Sequence, residues 1–256
     1  MNRPGRSLPE PSCSARAQQQ WLGAVLPYLS RSPLIKSIRM HIQPAFAVPM
    51  GFTRLEARDA LNRELTELFL AREKEGTRWA NPQPYTHRNE SLFESNFDLF
   101  KWPEPAVQRL KEFCWAQLLQ LVGRLNRYDD QYLQRLRIGA DAWFHVTRRG
   151  GQFGIHNHPM ASWSGVYCVA GGEHDPGQGN SGMLTFINPF IMTTMFVDAG
   201  TAQMGEPYSS SSRSYRLEAG HLVLFPSWLL HEVKAFHGNG ERITVAFNAW
   251  FHVSQS

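Results

Sequence analysis

The sequence predicts an α+β fold, a β-barrel or jelly roll buttressed by N-terminal helices. Two observations point that way. The first half carries two long segments with helical periodicity, and from about residue 138 the texture changes to short apolar runs punctuated by Gly, Pro and Ser. Helices first and short strands afterwards, within 256 residues and with no internal repeat, fit that class best.

Taken in order, residues 1–16 are rich in Pro, Ser and Arg and read as a mobile N-terminal arm. Residues 17–38 look partly helical through Trp21, Leu22, Val25, Leu26 and Leu29. Met40 to Pro49 alternates and predicts a first strand. Thr53-Arg54-Leu55-Glu56 has the form of a capping box, which opens a helix by satisfying free N–H groups. That helix is expected to run to about Lys74, with Leu61, Leu65, Leu68 and Phe69 on one stripe and Gly76 stopping it. A loop over residues 79–96 follows. Pro105 to Leu125 predicts a second helix with Val107, Leu110, Phe113, Cys114, Leu118, Leu121 and Val122 buried. Strands are expected at Ala142–Val146, Ser164–Val169, Met183–Ile187, Leu222–Phe225 and Arg242–Phe251. The domain reading is therefore an arm (1–16), a helical region packing on the core (17–137) and a β-core (138–256). The stretch from Phe190 to Tyr215 is too long for a simple hairpin and is expected to cap a substrate.

Composition sets limits. A 42% apolar content supports a sizeable core, and a net charge of +4 is too mild to indicate nucleic acid. Arg148-Arg149 and the Arg213 to Arg216 segment read as solvated loop charges. Cys13, Cys114 and Cys168 are odd in number and widely spaced, which argues against a disulfide framework or zinc ribbon. Cys114 and Cys168 fall in apolar stripes and read as core. No secretory segment or apolar run of membrane-spanning length is visible, so a cytoplasmic location is the default expectation, with no membrane partner. The oligomeric state is not encoded; a homodimer stays open.

The chemistry concentrates in two places. His156-Asn157-His158 puts two imidazoles at i and i+2, on one face of an extended segment about 7 Å apart. Gly220 to His231 reads as a turn, a buried strand, a proline break and a third histidine. His156, His158 and His231 are predicted to grip one metal and leave its other face open, a layout that redox iron enzymes use with two His and one carboxylate. Here a histidine stands in the carboxylate's place. The remaining histidines show no paired spacing and read as surface or hydrogen-bonded core residues. In Arg242-Ile243-Thr244-Val245-Ala246-Phe247-Asn248, alternation puts Arg242, Thr244, Ala246 and Asn248 on one face. If that face looks inward, the buried arginine needs an anion, and its fork matches a carboxylate. Thr244 adds a hydroxyl to the same carboxylate. The competing reading pairs Arg242 with Glu241 at the strand mouth. The Gly171 to Gly182 loop lacks the context of a phosphate cradle and is dismissed.

With these residues in view, the chain resembles the Fe(II)/2-oxoglutarate-dependent oxygenases, whose core is a double-stranded β-helix, and more narrowly a bacterial and phage branch of that superfamily. The resemblance covers roughly residues 85–251. It rests on Ser95-Asn96-Phe97-Asp98-Leu99, His156-Asn157-His158-Pro159, Ser164-Gly165-Val166-Tyr167, Asn188-Pro189, Gly220 to His231 and Arg242 to Asn248. It implies Fe(II) and 2-oxoglutarate as cofactor and cosubstrate. His156 and His231 would bind iron, with His158 at the third ligand position, and Arg242 with Thr244 would hold the distal carboxylate. Tyr167 and Asn248 are candidates for the cosubstrate or substrate wall, although Tyr167 equally fits the core. If His158 swings away, a water, a halide, Glu173 or Asp175 takes its place. The implied reaction is oxidation, most often hydroxylation, of an unactivated C–H bond, with release of succinate and CO2. Desaturation, cyclisation and halogenation are not separated by the sequence. A small molecule, an amino acid or a peptide all remain open as substrate. Two rivals stand beside it: a three-histidine cupin dioxygenase using O2 without 2-oxoglutarate, and a non-catalytic metal-binding module.

Overall fold

In a computed structural model, residues 41–173, 175 and 177–254 are described. The expected arm, the partly helical stretch 17–38, Cys13 and His174 lie outside these residues. Phe46–Ser256 forms one compact unit.

Among the described residues, ten strands make two sheets. In chain order the elements are β1 (Gly51–Arg54), α1 (Arg58–Lys74), β2 (Leu92–Glu94), α2 (Pro105–Asn126), α3 (Asp130–Arg135), β3 (Leu136–Thr147), β4 (Phe153–His156), β5 (Trp163–Ala170), β6 (Leu184–Phe186), β7 (Arg213–Tyr215), β8 (His221–Pro226), β9 (His231–Val233) and β10 (Arg242–Val253). The larger sheet runs β1-β8-β5-β10-β3-β2 and the smaller β4-β9-β6-β7, every pair antiparallel. Two such sheets face to face are a jelly roll, a double-stranded β-helix.

Strand alternation sorts the core into two layers. Ile243, Val245, Phe247 and Ala249 of β10 face the helices and pack with Leu65 and Phe69 of α1 and Leu110, Cys114 and Leu118 of α2. Phe69 stacks on Phe144 at 4.3 Å between ring centres. The opposite face of the large sheet contributes Cys168, Val223 and Phe225 to a second cluster with Leu184 and Phe186 of the small sheet. Both helical stripes emerge as expected. The two long helices thus back the large sheet and leave the space between the sheets to the functional face.

Three expectations are corrected. No strand forms over residues 41–49, and Met40 lies outside the described residues; β1 begins at Gly51 and pairs with β8, Thr53 opposite Leu222. That pairing takes Thr53 out of the expected capping box. α1 starts only at Arg58, with Ala57 at its N-cap and no side-chain cap. Sheet pairing has overridden a local capping preference. The loop 79–96 also holds β2, which extends the large sheet beside β3.

The histidine and arginine elements are adjacent for topological reasons. β4 and β9 pair so that His156 lies opposite His231. β10 occupies the middle of the large sheet between β5 and β3, so its inner face looks straight at them across the sandwich.

Candidate active site

The three predicted histidines converge. One ligand atom from each of His156, His158 and His231 lies within 4.8 Å of the others. His156 closes β4 and His231 opens β9. His158 sits just past β4, where its backbone N–H donates to the Ser227 carbonyl at 2.8 Å. Two rings are held in one tautomer. His156 Nδ1 lies 2.8 Å from the Gly154 carbonyl and His231 Nδ1 lies 2.9 Å from the Leu229 carbonyl. A carbonyl only accepts, so each Nδ1 carries the proton and each Nε2 lone pair is left for a metal. Burial disfavours the imidazolium at all three. Desolvation lowers the His156 pKa, and desolvation with the neighbouring His156 takes His158 and His231 down to about 3. Three neutral, convergent nitrogen donors fit a divalent transition metal. Glu173 and Asp175 do not join them. Glu173 accepts from Asn239 Nδ2, and Asp175 accepts from the Gly177 N–H.

Arg242 lines the same cavity as the three rings, together with Thr244, Ala246 and Asn248. It is only 4% exposed, and among the described residues it has no ion pair. The alternative partner Glu241 lies 3.6 Å from Arg148 instead, which also binds Glu73. Burial therefore pulls the Arg242 pKa below its ordinary value. A guanidinium stays charged under such a shift, so the site presents a desolvated cation that lacks its anion.

Asn248 lies at the cavity wall and accepts a hydrogen bond from Ser164 Oγ at 2.7 Å. Tyr167 does not lie at the site. Its neighbours Val166 and Cys168 take the inner face of β5, so Tyr167 points to the helices, where its hydroxyl donates to Asn62 Oδ1 at 2.7 Å. Tyr167→Phe should therefore cost about 0.5–1.5 kcal/mol of stability in denaturant titration and leave the 2-oxoglutarate Kd unchanged. A large rise in that Kd would return Tyr167 to the site. The buried thiols are equally structural: burial raises the pKa of Cys114 and pushes Cys168 up to about 11.

Four residues at or beside the site were missed. His145 and Trp143 of β3 share the face of Thr244 and Ala246, their partners in β10. Phe153 packs on His156. Glu94 is buried, receives Asn81 Nδ2 at 2.6 Å and lies 3.1 Å from His145 Nε2, with hydrogen bonding from His145 helping to hold its pKa down. The alternation argument applied to β10 would have found Trp143 and His145 on β3. Glu94 carries no comparable signal, because its three-residue strand lies inside an apparent loop. The 190–215 segment, expected to cap the substrate, lines neither cavity of the site; the walls beyond His158 come from residues 81–97 and 157–161 together with β3 and β10.

Residues 141–248 match a family model described as "Putative 2OG-Fe(II) oxygenase". This segment is similar to the 2OG-Fe(II) oxygenases. It contains all three histidines and Arg242. The chain is also similar in fold to a Pseudomonas putida prolyl-4-hydroxylase (TM-score 0.52, 16% identity, covering 91% of this chain and 100% of that one). A Trichoplax adhaerens prolyl hydroxylase, solved in complex with a hypoxia inducible factor oxygen degradation domain peptide fragment, superposes with TM-score 0.52 at 14% identity (78% and 83% covered). HygX from Streptomyces hygroscopicus, solved with nickel and 2-oxoglutarate, gives TM-score 0.51 at 12% identity (79% and 83%). No curated protein matches the sequence. The chain thus carries a jelly-roll core whose histidine cluster lies within the segment that matches the 2OG-Fe(II) oxygenase family model. No helix among the described residues is long and apolar enough to cross a membrane.

Proposed function

We propose that this protein is an Fe(II)/2-oxoglutarate-dependent oxygenase that hydroxylates an unactivated C–H bond of a small-molecule, amino-acid or peptide substrate, with succinate and CO2 released. In this reading His156, His158 and His231 hold Fe(II), Arg242 with Thr244 takes the distal carboxylate of 2-oxoglutarate, and Asn248 walls the site. Iron, 2-oxoglutarate and O2 together supply the oxidising power. The chain's own part is to hold the ligands neutral, orient the cosubstrate and keep water out.

One observation carries the reading: a buried guanidinium with no ion-pair partner among the described residues shares a cavity with three neutral imidazoles. A dicarboxylate that reaches both supplies the anion that Arg242 lacks. A three-histidine centre using O2 alone gives Arg242 no partner, and the cost of burying that charge counts against it. Anaerobic titration of the Fe(II)-loaded protein with 2-oxoglutarate, followed by succinate assay against candidate substrates, tests the reading. Failure of the wild type to bind 2-oxoglutarate would move the assignment to the cupin type.

His158 decides the donor set. Its ring has no hydrogen-bond partner among the described residues, unlike those of His156 and His231. His158→Asp should keep iron bound, since a carboxylate replaces the imidazole and offsets one positive charge. His158→Ala should weaken binding by more than ten-fold. Equal Fe(II) affinity in wild type and His158→Ala would remove His158 from the centre.

A further inference from the structure

A second cavity opens beside His158, and its volume of about 410 Å³ suits a small molecule or a side chain. It is walled by aromatic rings, notably Phe97, Trp143 and Trp250. Phe97 and Trp143 lie 4.5 Å apart. Trp250 reaches this wall by lying over Gly139, its cross-strand partner, where any Cβ would collide with the indole. Two carboxylates, Asp141 and Glu94, join the lining, and none of the described lining residues is a lysine or arginine. This is unexpected in a chain of net charge +4.

The two acids differ. Glu94 is engaged by Asn81 and His145. Asp141 is half-buried opposite Asn248, and its carboxylate makes no hydrogen bond or ion pair among the described residues. An acid left unpaired among indole faces, in a cavity without a cation of its own, is complementary to a cation that the occupant brings. Ammonium and guanidinium groups also bind the faces of such rings.

We propose that the substrate of this site carries an ammonium or guanidinium group, which Asp141 receives between the aromatic walls while the rest of the molecule extends toward His158. Glu94 adds negative potential from the cavity's inner end. The proposal rests on the oxygenase reading for calling the occupant a substrate. The charge preference itself can be measured without turnover.

Matched pairs of end-capped amino acids isolate that charge: Nα-acetyl-lysine methylamide against Nα-acetyl-norleucine methylamide, and the arginine derivative against its citrulline counterpart. Binding to the Mn(II)- and 2-oxoglutarate-loaded protein is followed by tryptophan fluorescence, which Trp143 and Trp250 report from within the cavity. The cationic member of at least one pair should bind roughly ten-fold or more tightly, the worth of one charge-assisted hydrogen bond. Asp141→Asn should bring that ratio close to one, and Asp141→Glu should retain most of it. Equal affinities within both pairs in the wild type, or a ratio that survives Asp141→Asn, would overturn the proposal. Loss of the oxygenase reading would show separately, as absent 2-oxoglutarate binding before any probe is added. The same preference measured on the metal-free protein then still decides the charge question.

Discussion

Arg242→Ala should raise the Kd for 2-oxoglutarate by roughly 30-fold to several thousand-fold while sparing metal binding. The range follows from the 2–5 kcal/mol typical of breaking a buried, hydrogen-bonded charge pair. Arg242 belongs in that class because it is 4% exposed and no carboxylate among the described residues pairs with it. Arg242→Lys should recover part of the loss, since a point charge replaces a planar fork. A second readout separates cosubstrate binding from a role in the fold. Without ligand, Arg242 is a buried cation whose desolvation is uncompensated, so Arg242→Met should leave the melting temperature of the ligand-free protein unchanged or raise it. With saturating 2-oxoglutarate and Mn(II), the wild type should gain stability and the Met variant should gain much less. Equal 2-oxoglutarate affinity in wild type and Arg242→Ala, measured by anaerobic calorimetry, would rule out the clamp. If instead Arg242→Met melts well below the wild type without ligand, the guanidinium has a structural partner.

The legible and illegible parts of this chain divide along a physical line. Whatever depended on periodicity within one element could be read. The buried stripe of α2, from Val107 to Val122, was visible because helical spacing repeats over about four turns. The inward aim of Arg242 was visible because β10 alternates strictly over seven residues. The triad was visible because His156 and His158 are two apart and His231 follows a buried strand. What required knowing a neighbour was not readable. Thr53 looks like a helix cap until β8 claims it as a strand partner. Tyr167 stands beside two residues of the functional face, and only the register with Val245 shows that it points the other way. Glu94 enters through a three-residue strand that pairs with β3, and its carboxylate finds His145 across that pairing. The charge of the larger cavity was likewise hidden. Asp141, Glu94 and Trp250 come from three strands, and the chain's overall basic balance gives no hint of an acidic lining.

His231→Ala and His231→Gln should both lose Fe(II) at concentrations that saturate the wild type. The loss should exceed the 10–100-fold typical of losing only an outer partner of a ligand. His231 is 3% exposed, its Nδ1–H is fixed on the Leu229 carbonyl, and its ring is braced by Phe225 at 4.8 Å. Its Nε2 is therefore pre-aimed, and neither a methyl nor an amide replaces that nitrogen. The Gln variant fills most of the volume, so its loss of metal is not a packing effect. Mn(II) or Fe(II) should raise the wild-type melting temperature and leave both variants unmoved. Acid supplies an independent check on the same side chain. Burial holds the folded His231 pKa near 3, whereas an unfolded histidine titrates near 6.5. Below that higher value the unfolded chain binds more protons than the folded one, so His231 withdraws stability from the metal-free protein as pH falls from about 6.5 toward 3. His231→Gln has no such proton to take up, and its stability should fall less steeply over that window. Undiminished iron stoichiometry and an equal metal-induced shift in both variants would show that the imidazole is not a ligand. The converging rings would then be a packing feature of the sandwich.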